Sequence, residues 1–143
     1  MKIVKTGGCQ CGRIRFEVLG DPVWVGFCHC TQCRRATGAA AVTHVGVHPN
    51  QLTFTQGQLK IYESSPGVLR GFCGDCGTPF TYDGDRFPDY IQLYLGTFDD
   101  PNRFQAQAHV HLAEKVAWFE VADDLPRFQG SAAAEGDEWQ AAA

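Results

Sequence analysis

The sequence has no apolar run long enough to cross a bilayer, so no membrane-spanning segment is expected. It also lacks a basic stripe. Twelve Lys and Arg stand against 16 Asp and Glu, for a formal net charge of -4 and a pI near 5.6, and this balance argues against a general nucleic-acid binder. Met1-Lys2-Ile3-Val4-Lys5 runs straight into Thr6-Gly7-Gly8 with no apolar leader, and the cysteine count is odd. Cysteines one residue apart cannot easily bridge each other, so a secreted disulfide framework is not expected. The expectation is reduced thiols, a reducing compartment and a cytoplasmic location. Helix signals and internal repeats are scarce as well.

What the chain does have is alternation. Ile14, Phe16 and Val18 fall on one face and Arg13, Arg15 and Glu17 on the other, the period-two pattern of a half-buried strand. Strands are further expected over 23–28, 40–47, 52–56, 59–63, 68–73, 91–95 and 115–121, between turn signals such as Gly20-Asp21-Pro22, His48-Pro49-Asn50 and Asp99-Asp100-Pro101-Asn102. Thr31 to Thr37 reads as a short helix capped by Gly38, and Pro101 to Phe104 as one turn. The 143 residues suit one domain, in which roughly two-thirds of the unfolded chain's surface can be buried. Residues 1–129 are expected to form a mainly β domain of antiparallel sheets with short helical inserts. Residues 130–143, small and polar apart from Trp139, are expected to be a flexible tail.

Seven cysteines carry the functional signal, as Cys9-Gln10-Cys11, Cys28-His29-Cys30-Thr31-Gln32-Cys33 and Cys73-Gly74-Asp75-Cys76. Four thiolates close a tetrahedral zinc site, whereas three leave the fourth position to water or substrate. Order alone permits two divisions, because Cys30-x-x-Cys33 could equally pair with Cys73-x-x-Cys76. The flanking residues choose between them. Gly12 follows Cys11 and Gly77 follows Cys76, and a glycine there lets the backbone turn so that N–H groups point at sulfur; Arg34 follows Cys33 instead. Cys9, Cys11, Cys73 and Cys76 are therefore read as a closed structural zinc site, and Cys28, Cys30 and Cys33 as an open one with catalytic potential. Arg34 and Arg35 place two cations beside the trio, where they could draw a small anionic substrate.

Gly7-Gly8-Cys9-Gln10-Cys11-Gly12-Arg13, Cys28-His29-Cys30-Thr31-Gln32-Cys33-Arg34-Arg35-Ala36-Thr37-Gly38 and Phe72-Cys73-Gly74-Asp75-Cys76-Gly77-Thr78 resemble, in that order, the glutathione-dependent formaldehyde-activating enzymes and the related CENP-V-like proteins on the Mss4-like zinc fold. The closing residues, from His109-Val110-His111 to Arg127-Phe128, resemble the end of that family's domain, with Ala117 where a proline is usual. The resemblance implies two zinc ions per chain, one held by Cys9, Cys11, Cys73 and Cys76, the other, catalytic, by Cys28, Cys30 and Cys33. It implies carbon–sulfur lyase chemistry, in which a small thiol such as glutathione is activated for reversible addition to formaldehyde or a related aldehyde. Arg34 or Arg35 would orient a substrate carboxylate. The alternative is a non-catalytic carrier of zinc or thiol, or an interaction module on the same fold; no nucleic-acid or membrane partner is expected.

His29, between two presumed ligands, could act as a base or replace a thiolate, but alternation points it away from the trio into a structural role. His109 and His111, two apart, would share one face of a strand.

Overall fold

A computed structural model describes residues 2–131. Of the expected tail, residues 132–143, Trp139 among them, lie outside the described residues. In chain order the strands are β1 (Val4–Gly8), β2 (Arg15–Leu19), β3 (Trp24–Cys28), β4 (Val42–Val47), β5 (Leu52–Gln56), β6 (Lys60–Ser65), β7 (Val68–Phe72), β8 (Pro79–Gly84), β9 (Ile91–Tyr94) and β10 (Ala108–Val110), and the helix α1 spans Thr31–Thr37. The protein is mainly β, as its alternating pattern indicates. None of the described helices is long and apolar enough to cross a membrane.

The described residues fall into two compact units, one of residues 2–23 with 45–103, the other of 24–44 with 104–131. In the first unit, β1, β2 and β5 form a three-stranded antiparallel sheet in that order. The alternation of β2 decides its faces: Phe16 and Val18 are buried and Glu17 is exposed. Phe16 then meets Phe54, Phe80 and Phe98 at ring-centroid distances of 6.1, 5.9 and 5.2 Å, tilted or edge-on as aromatic quadrupoles prefer. The rest of the unit is an antiparallel meander, β6 to β7 to β8 to β9.

Two tight turns in this unit carry four of the cysteines. One joins β1 to β2 and holds Cys9 and Cys11; the other joins β7 to β8 and holds Cys73 and Cys76. They are built alike. Cys9 N donates to Ile14 O at 3.2 Å and Cys73 N to Thr78 O at 2.9 Å, and each turn passes through a glycine at φ 80°, Gly12 or Gly77. A side chain is strained in that left-handed region, which is why glycine follows the second cysteine of each pair.

In the second unit β3 pairs with β10 in parallel, Phe27 opposite His109 and Cys28 opposite Val110, where the strand pairs of the first unit are antiparallel. The chain arrives at β10 after the long passage through the first unit, long enough for a parallel return. Directly after β3, α1 begins. The Cys30 sulfur caps it by accepting from Cys33 N at 3.3 Å, Thr37 Oγ1 donates to Cys33 O at 2.9 Å, and Gly38 ends it.

The strand expected over 115–121 does not form. Lys115 Nζ instead donates to the carbonyls of Val116 and Ala117 at 3.2 and 3.1 Å, and Phe119 N turns back to Val116 O at 3.0 Å, so the segment satisfies its own backbone locally. Among the described residues no cross-strand ladder pairs with it.

Phe16 is 1% exposed at the centre of the aromatic cluster, so Phe16→Ala is expected to cost about 3–5 kcal/mol, measured by urea denaturation against the parent protein. A loss below about 1 kcal/mol would show that the cluster collapses onto the vacated space.

Candidate metal centres and active site

The two cysteine turns of the first unit bring four sulfurs together. Cys9, Cys11, Cys73 and Cys76 each offer an Sγ, all within 4.8 Å of one another, and no disulfide joins any of the chain's cysteines. Cys9 and Cys11 sulfurs are 3.5 Å apart and those of Cys11 and Cys73 are 3.8 Å apart. A zinc–sulfur bond of about 2.3 Å sets the edge of a tetrahedron at roughly 3.8 Å, so the spacing fits an S4 zinc site. The surroundings fit as well: Ile14 N–H donates to Cys9 Sγ at 3.3 Å, Thr78 Oγ1 lies 3.2 Å from Cys76 Sγ, and Gln10 N–H reaches Thr78 Oγ1 at 3.1 Å to tie one turn to the other.

Thiols this close cannot ionise independently. Thr78, through its hydroxyl and then its backbone N–H, brings Cys76 down to about 5. Cys11 moves the other way: the backbone at Arg13 favours its thiolate, but desolvation and hydrogen bonding with Cys9, Cys76 and Cys73 outweigh it and push the thiol up to about 12. Such proton sharing within a cluster is what a divalent cation resolves, because it favours every thiolate at once.

The trio occupies the second unit. Cys28 ends β3, Cys30 caps α1 and Cys33 lies in its first turn, so one continuous segment carries all three sulfurs within 4.8 Å of one another. Cys28 and Cys33 are buried and Cys30 is partly exposed, which puts the accessible side of the cluster at Cys30. Hydrogen bonds from Cys28 and Cys33 stabilise the Cys30 thiolate and lower it to about 2; the same contacts, with Cys30 first, raise Cys28. The donor set fits a soft or borderline divalent cation with three protein ligands, the pattern that leaves one position open.

The two arginines part company. Arg34 is half-buried and folds back along α1, its guanidinium donating to Thr31 Oγ1 at 3.0 Å, while Arg35 is exposed. Glu114 Oε1 accepts from Thr31 N at 3.2 Å, bringing the 112–114 turn against the start of the helix.

The histidines form a network that spacing alone does not reveal. His29 and His109 are each 1% exposed; His29 Nε2 is 2.9 Å from His109 Nδ1, and His109 Nε2 is 2.9 Å from Asp123 Oδ2. Phe27 stacks on His109 with centroids 4.7 Å apart and planes 13° apart, and Phe119 lies tilted beside His29. Burial, then the neighbouring His109, Lys115, Arg127 and Arg34, lower His29 to about 4 and keep its ring neutral near pH 7. His109 and His111 do not share a face. β10 ends at Val110, and His111 turns out at φ 58° with Nδ1 4.0 Å from Glu114, because its N–H goes to Gly130 O rather than to a strand ladder. Asp123 was not singled out by sequence reasoning. It is held by Leu125 N at 2.9 Å and Arg127 at 3.0 Å, and no local spacing links it to His109 or His29.

The sequence model of the family described as Glutathione-dependent formaldehyde-activating enzyme matches residues 4–114, a span that takes in all seven cysteines. The chain belongs to that family. A Halomonas elongata protein provisionally named a glutathione-dependent formaldehyde-activating enzyme is 27% identical over 125 residues, covering 80% of this chain and 79% of its own length. A crystal structure of a Rhodobacter sphaeroides protein shares the fold, with a TM-score of 0.55, 18% identity, and coverage of 85% of this chain and 98% of its own. For this member of the formaldehyde-activating family, the cysteine clusters are the two places that could hold metal ions among the described residues.

Hydrogen bonding from His109 lowers Asp123 to about 2, below the ordinary aspartate value near 4. A depressed carboxyl stabilises the fold above its unfolded pKa and loses that contribution as pH falls through its folded one. The stability difference between the parent and Asp123→Asn should therefore be full above about pH 4 and shrink as pH drops towards 2, as read by urea denaturation across that range. A difference independent of pH would mean that the carboxylate's charge is not what holds His109.

Proposed function

We propose that this chain promotes the reversible addition of a small thiol, glutathione or a close relative, to formaldehyde or a related aldehyde, a carbon–sulfur lyase reaction. The observation that carries the reading is the unequal division of sulfur: four cysteines gathered from two remote turns, and three gathered on one short segment with Cys30 at the accessible side. Cys9, Cys11, Cys73 and Cys76 hold a structural zinc in this reading. Cys28, Cys30 and Cys33 hold a second, catalytic one and are the catalytic residues. A zinc ion with three thiolate ligands supplies Lewis acidity that lowers the pKa of a thiol brought to it.

The chain's own residues then bind and orient. Cys28, Cys30 and Cys33 fix the place of the incoming thiol, and the family membership supports glutathione as that thiol. Arg35, exposed beside the trio on α1, is available for a substrate carboxylate; Arg34 is tied to Thr31 and steadies the helix start while adding positive charge. In the addition direction the S–H bond breaks and an S–C bond forms. The carbonyl π pair becomes the lone pair of an alkoxide-like oxygen, which takes the proton to give a hydroxymethyl thioether. The reverse order of the same events is the lyase reaction. A reducing compartment such as the cytoplasm suits seven thiols with no disulfide among them.

The uncatalysed addition is itself facile, so the test must measure exchange over background. Exchange between glutathione, formaldehyde and S-hydroxymethylglutathione, followed by NMR at equilibrium, should be faster with the protein by about tenfold or more. Metal analysis should find two zinc ions per chain. A variant with Cys28, Cys30 and Cys33 all changed to Ala should remain folded by circular dichroism, hold one zinc and lose the acceleration. Tight glutathione binding with no acceleration would favour a carrier; a triple variant that unfolds would make both ions structural and favour an interaction module.

A further inference from the structure

The meander of the first unit leaves apolar side chains in the open. Ile61 on β6 is 57% exposed and Leu69 on β7 is 41% exposed, and both line a groove of about 330 Å³ together with Phe54 and Leu59. A water molecule's share of liquid volume is about 30 Å³, so the groove has room for roughly ten non-hydrogen atoms. The strand register decides which polar groups face it. Residues directly opposite one another across a ladder share a face, and Ile61, Gly71 and Thr81 form one such row across β6, β7 and β8. Glu63, Leu69 and Asp83 form the next row, two residues along and therefore on the same face.

The first row is the floor. A Cβ placed on Gly71 would lie 2.6 Å from Thr81 Oγ1, 2.7 Å from Leu59 Cδ1 and 3.1 Å from Ile61 Cδ1, so the hydroxyl and two apolar side chains converge over the bare glycine. Thr81 is only 2% exposed and lines the groove, yet its hydroxyl makes no hydrogen bond among the described residues. Polar groups so buried are normally paired, and a hydroxyl left open towards a cavity is a place for a ligand's polar atom. The second row is the rim. Asp83 lines the groove and Glu63 stands at the far end of its row; both are exposed, and neither forms an ion pair among the described residues.

We infer that this groove binds a small arylalkyl amine, its ring against Leu59, Ile61 and Leu69, its ammonium group on Asp83 and a hydroxyl at its other end on Thr81 Oγ1. The sign of the ligand's charge follows from the rim, where two carboxylates in one row attract a cation and repel an anion. Its length follows from the strand: Thr81 and Asp83 lie two residues apart on β8, about 6.8 Å, which one ring with short substituents spans. Apolar walls with a few placed polar groups are the common build of small-molecule sites. Every residue named belongs to the first unit and none to the cysteine trio, so the inference stands apart from the thiol reaction.

Titrating the zinc-loaded full chain, labelled with 15N, with tyramine, 2-phenylethylamine and 3-(4-hydroxyphenyl)propionate tests charge and hydroxyl separately. Tyramine should shift the amide signals of Leu69, Gly71, Thr81 and Asp83. The propionate, which has the same ring and the opposite charge, should bind at least about threefold more weakly. Asp83→Asn should weaken tyramine about three- to fivefold, the worth of one partly screened ion pair, and should not weaken the propionate. Thr81→Val keeps the shape without the hydroxyl and should abolish tyramine's advantage over 2-phenylethylamine. Should Thr81→Val fail to fold, the parent's own preference for tyramine over 2-phenylethylamine and the exposed Asp83→Asn still decide the question. Groove signals that stay fixed at about 10 mM tyramine, equal affinity for the amine and the propionate, or an Asp83→Asn protein that binds tyramine as the parent does would each overturn the inference.

Discussion

The contact between four sulfur atoms is the constraint on which the first unit turns. Thiols can be brought to within 3.5–3.8 Å of one another only if two separate turns stop at matching places, and the chain arranges this by making the turns nearly the same. Each begins where a strand ends, returns its first cysteine's N–H to a carbonyl five residues on, and passes a glycine at φ 80°. The sheet and the meander supply the strand ends from which these turns project, and the aromatic cluster around Phe16 supplies the apolar burial that a cluster of cysteines does not. Remove either glycine's backbone freedom and the sulfurs separate, whatever the core does.

The second unit solves a different problem with local means. β3 delivers Cys28, the chain extends through His29, and the first turn of α1 brings Cys33 N–H onto Cys30 Sγ. Nothing remote is needed to assemble the trio. Remote residues enter behind it, through β10, which places His109 beside His29, and through the 123–127 turn, which places Asp123 beside His109. The three sulfurs come from one segment and the histidine network from two others, the division expected where some groups bind and others orient.

Much of this was legible in the sequence because it is local. The alternation around Phe16, the helix Thr31–Thr37 with Gly38 as its cap, the strand Leu52–Gln56 and the grouping of cysteines by their following glycines all depend on neighbours a few residues apart, and the structure has each of them. What depends on distant partners was not legible. Lys115–Val121 has strand-like composition, yet no described strand pairs with it, so it turns on itself. His109 and His111 look like a same-face pair until β10 stops between them. The Asp123–His109–His29 chain joins residues 14 and 80 positions apart and leaves no mark in spacing.

The unequal layout of the cysteines also orders their assembly in time. The three sulfurs of the Cys28–Cys33 segment are all present on a growing chain soon after Cys33 is made, and so short a loop closes within about 100 ns, far faster than synthesis adds a residue. The set of four waits until Cys76 has emerged, long after Cys9 and Cys11. During that interval the trio is the only complete cluster on the ribosome. A chain caught part-way through synthesis thus already carries all three sulfurs of the trio before the four of its first unit are complete.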